Sequence, residues 1–527
     1  MATPVADTGT TDDTALQEKP LETELKLLVP AGKLDEFRQR ALSRLPVRNK
    51  GTIRRLDATY YDTADHDLYK AGLTLRVRRN GRTFTQTVKR MVPCGTLSRQ
   101  EWEAPAAGMA PELGALPLAE IGTPLDGLDP RSLVATFATN VRRHALMLDF
   151  ANAQIEIAFD DGMVATAKRQ EPISEVELEL KGGRPATLYE LGLSLMETEP
   201  LRLGVLTKSD RGYALACGAM PKAVKAEKSS LERQDIVDDF IATLLANCQK
   251  QVLANLIGAE SGTVPDAVHQ MRVALRRLRT LLWFLRREIG SPALAALEGD
   301  AKQLASSLGP ARNWDVFIDS TILKLEEAGL DDIEFVGLRA LSRPFREAGY
   351  AAVREAIAMP ATNRFLLSLG LVVEQRSWRS EIDSAILATL SEPVGKFAAR
   401  VLGRIERKAS KIGRHFRALQ PEERHRLRIT LKKLRYSLEF FLPLYAGESA
   451  TDKYLKRLAR LQDDLGADND IATSRGLLHQ LAQASNEPAL HRAIGAVTGW
   501  QRCHQLAQSE RLVKDWKEFE RGRLFSN

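Results

Sequence analysis

The chain has two rhythms. Over roughly residues 20–215, charged and apolar residues alternate with period two in short runs, the signature of strands that put one kind of residue on each face. From about residue 231 onward, apolar positions recur at spacings of three and four, Gly and Pro are sparse, and the alternation disappears. That half reads as nearly all helix. The expected fold class is therefore α+β multidomain; with the charge pattern and the internal repeat, it is an N-terminal antiparallel β-barrel followed by an all-α duplicated helical bundle.

The alternating runs carry unusual charge. In Glu22-Thr-Glu24-Leu-Lys26 two carboxylates and an ammonium share one strand face, and Glu175-Val-Glu177-Leu-Glu179-Leu-Lys181 repeats the pattern much later. Such a face is costly unless it lines a polar cavity. Between them, Arg76 and Arg78 alternate, as do Thr85, Thr87 and Lys89, then Arg99, Glu101 and Glu103; Arg143, Lys208 and Arg211 follow in further runs. Any one strand would simply wet its charged face. Seven or eight sharing the pattern, with bases and acids segregated by strand, favour a charged barrel interior. Facing carboxylates with basic neighbours suit hard divalent cations and a polyanion.

These residues resemble the CYTH family, the triphosphate tunnel metalloenzymes. Glu22-x-Glu24-x-Lys26 is similar to the family signature, and Tyr60-Tyr61-Asp62-Thr63, Leu75-Arg76-x-Arg78, Thr87-x-Lys89, Arg99-x-Glu101-x-Glu103 and Lys208-x-x-Arg211-Gly-Tyr are similar to its later blocks, in the same order. One departure is visible after Arg143, where His-Ala-Leu-Met stands in place of an expected tryptophan. The resemblance covers roughly residues 20–215. It implies that Glu22, Glu24, Glu177 and Glu179 hold Mg²⁺ or Mn²⁺, with Glu175 ranked lower. Lys26, Arg76, Arg78, Lys89, Arg143, Lys208 and Arg211 would grip a triphosphate. Catalysis would fall to Glu22, Glu24 and Lys26, with Glu101 or Glu103 orienting water. Asp62-Thr63 reads as a structural exit from a strand.

The helical half contains a repeat. His269-Gln-Met-Arg272-Val-Ala-Leu-Arg276-Arg277-Leu-Arg279 returns as His425-Arg-Leu-Arg428-Ile-Thr-Leu-Lys432-Lys433-Leu-Arg435, and Leu308-Gly-Pro-Ala-Arg312-Asn313-Trp-Asp315 is echoed from Leu465. At about 100° per residue, His269, Arg272, Arg276 and Arg279 share one helix side, as do His425, Arg428, Lys432 and Arg435. Such stripes repel themselves unless anions neutralise them. They resemble the CHAD domain, over roughly residues 230–520, with Asn313 where an acid is expected. That resemblance implies that His269, Arg272, Arg276, Arg279, His425, Arg428, Lys432, Lys433 and Arg435 bind inorganic polyphosphate.

Composition bounds the rest. Residues 1–230 hold 31 Lys/Arg and 31 Asp/Glu, so the net charge of +7 lies wholly in the remainder. Twelve Lys/Arg crowd into Arg404–Arg435, which points to a polyanionic partner. Few aromatics interleave with them, which argues against nucleic acid. Four scattered cysteines form no C-x-x-C pair, consistent with a reducing, cytoplasmic setting; association with polyphosphate granules is an expectation that the resemblance to CHAD implies. Apolar runs are too short to span a bilayer. The eight histidines show no zinc spacing, and no Walker A loop or nucleophile elbow is present. The expected organisation is a disordered tail (1–19), the barrel (20–215), a flexible linker (216–230) and the helical domain (231–520). Three functions remain open: an inorganic triphosphatase, another CYTH chemistry (adenylate cyclase or thiamine triphosphatase), or a non-catalytic polyphosphate-binding or granule-targeting protein. Retention of the full carboxylate set favours the first.

Overall fold

The computed structural model describes residues 21–91, 97–218, 221–227, 229–329, 333, 335–380 and 383–525. The expected tail, Cys94 and part of the linker lie outside them. The alternating runs become β1 (Leu21–Leu28), β2 (Thr52–Asp62), β3 (Leu73–Asn80), β4 (Thr83–Arg90), β5 (Ser98–Ala106), β6 (Val134–Phe150), β7 (Ala153–Ala165), β8 (Gln170–Gly182) and the two-residue β9 (Arg202–Leu203). The order is β5-β4-β3-β2-β6-β7-β8-β1-β9, and a further β1–β5 pairing closes eight of the strands into an antiparallel barrel. β6 and β7 meet at Ala151-Asn152, both left-handed (φ 47° and 63°), the turn geometry that follows strand twist.

The faces are inverted relative to a sandwich. Leu25, Leu27, Ile155, Ile157, Phe159, Val176 and Leu178 point outward into a core that the helices Leu34–Leu42 and Ala186–Met196 cover. A second outer cluster holds Leu73, Leu75, Val88 and Trp102. The charged faces therefore look into the barrel. The strand exit at Asp62 is built as expected: its buried carboxylate accepts from the backbone N–H of Thr63, Leu68 and Tyr69 and from the Tyr213 hydroxyl.

From Val237 to Arg521 the described chain is helical. The two repeats form the helices Pro265–Glu288 and Pro421–Phe441, which pack against each other around one core that includes Phe284, Phe440 and Phe441. The copies then diverge. The first breaks into Pro292–Ser307 and Gly309–Val316, whereas the second runs on as one helix, Ser449–Ala484. No single described helix is long and apolar enough to cross a membrane.

The halves also touch. Arg202 of β9 pairs with Glu260 at 2.8 Å, and Leu203 N–H donates to Asn363 Oδ1 at 2.9 Å. The helix Ala186–Met196 lies on Pro360–Gln375 so closely that a Cβ on Gly370 would fall 2.3 Å from the Tyr189 ring.

Candidate active site

The inward faces enclose a cavity of about 750 Å³ lined by Glu22, Glu24, Lys26, Arg76, Arg78, Lys89, Glu101, Glu103, Arg143, Glu177, Glu179 and Lys208, together with Arg54, Arg99 and Glu156. Register explains the convergence, because residues paired across a ladder share a face. Arg76 pairs with Tyr60 and Thr87, Thr87 with Glu103, and Lys89 with Glu101. On the opposite wall Lys26 pairs with Glu177, and Glu24 with Glu179, which pairs in turn with Glu156.

Most of these charges are already matched. Lys89 bonds Glu22 at 2.6 Å and Glu101 at 2.9 Å; Arg99 bonds Glu22 at 2.8 Å and Glu24 at 2.7 Å. Two places are not balanced. Among the described residues Arg78 pairs with Glu103 at 3.6 Å, and it is pushed down to about 10, first by the neighbouring Arg76 cation and then by burial. A bound anion would raise it again. Across the cavity, Glu24, Glu179 and Glu156 form a like-charged row. Burial, with Glu22 and Glu156 adding to it, raises Glu179 despite Lys181. That row, with Glu22 and Glu177 nearby on the same lining, fits a hard divalent cation: oxygen donors with a deficit of positive charge.

Among the described residues, carboxylates also converge at Asp160, Glu175 and Glu177, whose oxygens lie within 4.8 Å of one another. A cation already fills this buried cluster. Lys208 Nζ stands 2.7 Å from Asp160, 2.5 Å from Glu175 and 2.8 Å from Glu177. Lys26 and Arg143 add further bonds to Glu177. Burial opposes ionisation of Glu177, yet Lys208, Lys26 and Arg143 hold it well below the usual carboxylate range. The trio is a hub that fixes three cations on the cavity wall.

Two sequence expectations need correction. Lys208 and Arg211 lie on a helix, Lys208–Cys217, and not on a strand; Thr207 and Asp210 cap it with a reciprocal pair of bonds. The helix offers only part of one face to the barrel, so Lys208 enters the cavity and Arg211 does not. Arg211 instead bonds Glu171 and the Pro172 carbonyl behind the wall. The sequence reading also missed Asp160 and Glu156, although both lie on one face of Glu156-Ile-Ala-Phe-Asp160, the same alternation that exposed the other strands.

In the helical half, Arg272, Arg276, Arg279 and Lys432 line a pocket of about 530 Å³ closed by Gly309, Pro310 and Asn313. No carboxylate is among its lining residues, and burial with the cations of Arg276 and Arg312 pushes Arg272 down to about 10. Burial and Arg312 likewise lower His269. The second stripe does not mirror the first. His425 is exposed, Arg428 is buried, Lys433 sits over the Trp283 ring at 3.9 Å, and Arg435 bonds Glu439 at 3.0 Å. Of that copy Lys432 joins the pocket, while Lys433 and Arg435 are turned to Trp283 and Glu439.

Family models match both halves: the CYTH domain over residues 20–213 and the CHAD domain over residues 243–479. The chain is 33% identical over 172 residues to an inorganic triphosphatase of Haemophilus influenzae, covering 30% of this chain and 46% of that protein. The match thus spans about half the length of that relative. It is 26% identical over 456 residues to an uncharacterised protein of Mycobacterium tuberculosis, covering 82% and 83% of the two chains. The crystal structure of a CHAD domain from Ricinus communis aligns with a TM-score of 0.47 at 28% identity, over 57% of this chain and 96% of that one. The chain carries a CYTH domain followed by a CHAD domain.

Proposed function

We propose that the barrel hydrolyses inorganic triphosphate in the presence of Mg²⁺ or Mn²⁺. The observation that carries this reading is the pair of neighbouring cations Arg76 and Arg78, each held by a carboxylate only at 3.6 Å, on the same cavity lining as the carboxylate row. A linear anion between these walls would satisfy both, with a divalent cation between it and the acids. The resemblance to an inorganic triphosphatase over the CYTH region supports the same chemistry.

In this reading Lys26, Arg76, Arg78, Lys89, Arg143 and Lys208 hold the phosphates. Glu22, Glu24, Glu177 and Glu179 hold the metal, which when bound supplies Lewis-acid charge to phosphate oxygens. Water attacks the terminal phosphorus, the P–O–P bond breaks, and phosphate and diphosphate leave. The pre-set cations stabilise the charge that builds on the leaving diphosphate, which is where such sites gain most of their rate. Burial opposes ionisation of Glu101, but Lys89 and Arg76 keep it low and ionised, so it can accept a hydrogen bond from the attacking water. The basic pocket at Arg272, Arg276, Arg279 and Lys432 holds polyphosphate, and the protein works in the cytoplasm, at polyphosphate granules.

The test is phosphate release by the purified protein with Mg²⁺ or Mn²⁺ from tripolyphosphate, ATP, thiamine triphosphate and long-chain polyphosphate. Preferential release from tripolyphosphate that Glu24→Gln abolishes supports the proposal. Absence of turnover with all four substrates refutes it and leaves a polyphosphate-binding protein.

A further inference from the structure

A separate cavity of about 440 Å³ lies outside the barrel, against the helix Val237–Ser261. It exists because β1 changes partners. Its ladder to β5 covers Leu21–Thr23, with one more bond from Glu24 N–H to the Leu97 carbonyl; then β1 turns to β8 and β9. Where the wall parts, Lys26, Lys89 and Arg99 line the tunnel and this cavity alike.

The walls differ from those of the tunnel. One side is Leu203, Val205 and Leu206, which follow from the strand that ties Gly204 N–H to the Lys26 carbonyl. The other is Leu253, Ala254 and Ile257 of the helical half. The polar lining has Lys26, Lys89, Arg90, Arg99 and Lys222 with Glu24 and Asp210; Lys26, Lys89 and Arg99 are held by Glu175, Glu177, Glu22, Glu101 and Glu24, whereas Arg90 and Lys222 meet no carboxylate among the described residues. Asp210 is already spent on the Thr207 N–H and hydroxyl at 2.8 and 2.7 Å. A bare phosphate chain gains nothing from the leucine walls, where its charge would go unpaired. A wholly apolar ligand leaves Arg90 and Lys222 without an anion.

We infer that this cavity is a second ligand site, for an amphipathic organic phosphate. Its hydrocarbon body lies between Leu203, Leu206, Leu253 and Ile257, and its phosphoryl end meets Arg90 and Lys222. Because both halves of the chain build the walls, such a ligand joins the helical half to the tunnel. The site does not depend on the hydrolysis reading, and its test reads binding alone.

The experiment is calorimetric titration of the full chain, without metal, with geranyl diphosphate, inorganic diphosphate and decanoate. The expected result is geranyl diphosphate binding at least about tenfold more tightly than either of the others, the gain coming from buried hydrocarbon plus a matched phosphoryl end. Ala254→Phe, which fills the cavity from a half-buried helix position, removes that preference and leaves tripolyphosphate hydrolysis unchanged. If Ala254→Phe does not fold, Ile257→Ser serves in its place. Equal affinity for geranyl and inorganic diphosphate overturns the proposal, as does decanoate binding as tightly, or a folded variant that keeps the preference. Geranyl diphosphate preference in a protein that releases no phosphate refutes only the hydrolysis reading.

Discussion

Glu24 on β1 stands directly across the ladder from Glu179 on β8, like charge facing like charge. Opposed carboxylates destabilise a strand pair, and Arg99, which Glu24 shares with Glu22, and Lys181 beside Glu179 offset this only in part, because Glu156 adds a further carboxylate to the row. Divalent metal is therefore expected to stabilise the fold, by about 2.7 kcal/mol at a hundredfold excess over its Kd. Thermal unfolding with and without Mg²⁺ or Mn²⁺ checks this, and Glu179→Gln should reduce the gain.

Glu179 also carries a pH dependence, set by its burial and by Glu22 and Glu156. Burial raises Glu179 above its unfolded value, so its contribution favours the folded state at low pH and is lost as pH rises through the folded value. Metal competes with that proton. Its affinity should therefore increase with pH just above the ordinary carboxylate range, as measured by titration, and the increase should flatten in Glu179→Gln.

Lys208 at the carboxylate hub predicts a different loss. Lys208→Met leaves Asp160, Glu175 and Glu177 buried at 0%, 0% and 9% exposure without their central cation. Removing one partner from a buried charge cluster costs about 3–5 kcal/mol. Denaturant unfolding should show that loss. Glu177 and Asp160 are both held below their unfolded values, so the hub's stabilisation is present above the ordinary carboxylate range and lost as pH falls through the depressed values. The wild type should thus resist acid more than the variant does.

Arg78 and Arg211 separate cavity from wall. Arg78→Ala should lower kcat/KM for tripolyphosphate about 10²–10³-fold, as loss of one charge-stabilising donor does. Arg211→Ala, outside the cavity and paired with Glu171, should keep kcat/KM within about tenfold, a change of about 1.4 kcal/mol or less. Steady-state kinetics of the two variants decide the point.

The unequal helix stripes make a last prediction. Arg272→Ala and Arg276→Ala should weaken polyphosphate binding far more than His425→Ala or Arg435→Ala, because the first pair lines the carboxylate-free pocket and Arg435 is bonded to Glu439. Fluorescence anisotropy with labelled polyphosphate at two ionic strengths measures it, and the loss should shrink at high salt.

Periodicity told the alternating strands from the helical half, though not the helix at Lys208–Cys217, and the acids and bases of Glu22–Lys26, Arg76–Arg78 and Glu175–Lys181 were legible because alternation is a local property of the chain. So was the duplication, which needs only self-similarity. Whether those charged faces point into a barrel or out to water depends on closure, a contact between β1 and β5 that no local window contains. Closure puts Lys208 at the centre of three carboxylates, joins Glu156 to the row of Glu24 and Glu179, and leaves Arg211 behind the wall. The helix pairing likewise gives Lys432 to the first copy's pocket and turns its repeat partners elsewhere. The sequence by itself determined which side chains share a face; only the tertiary structure decided which faces meet, because charge balance is a property of neighbours in space.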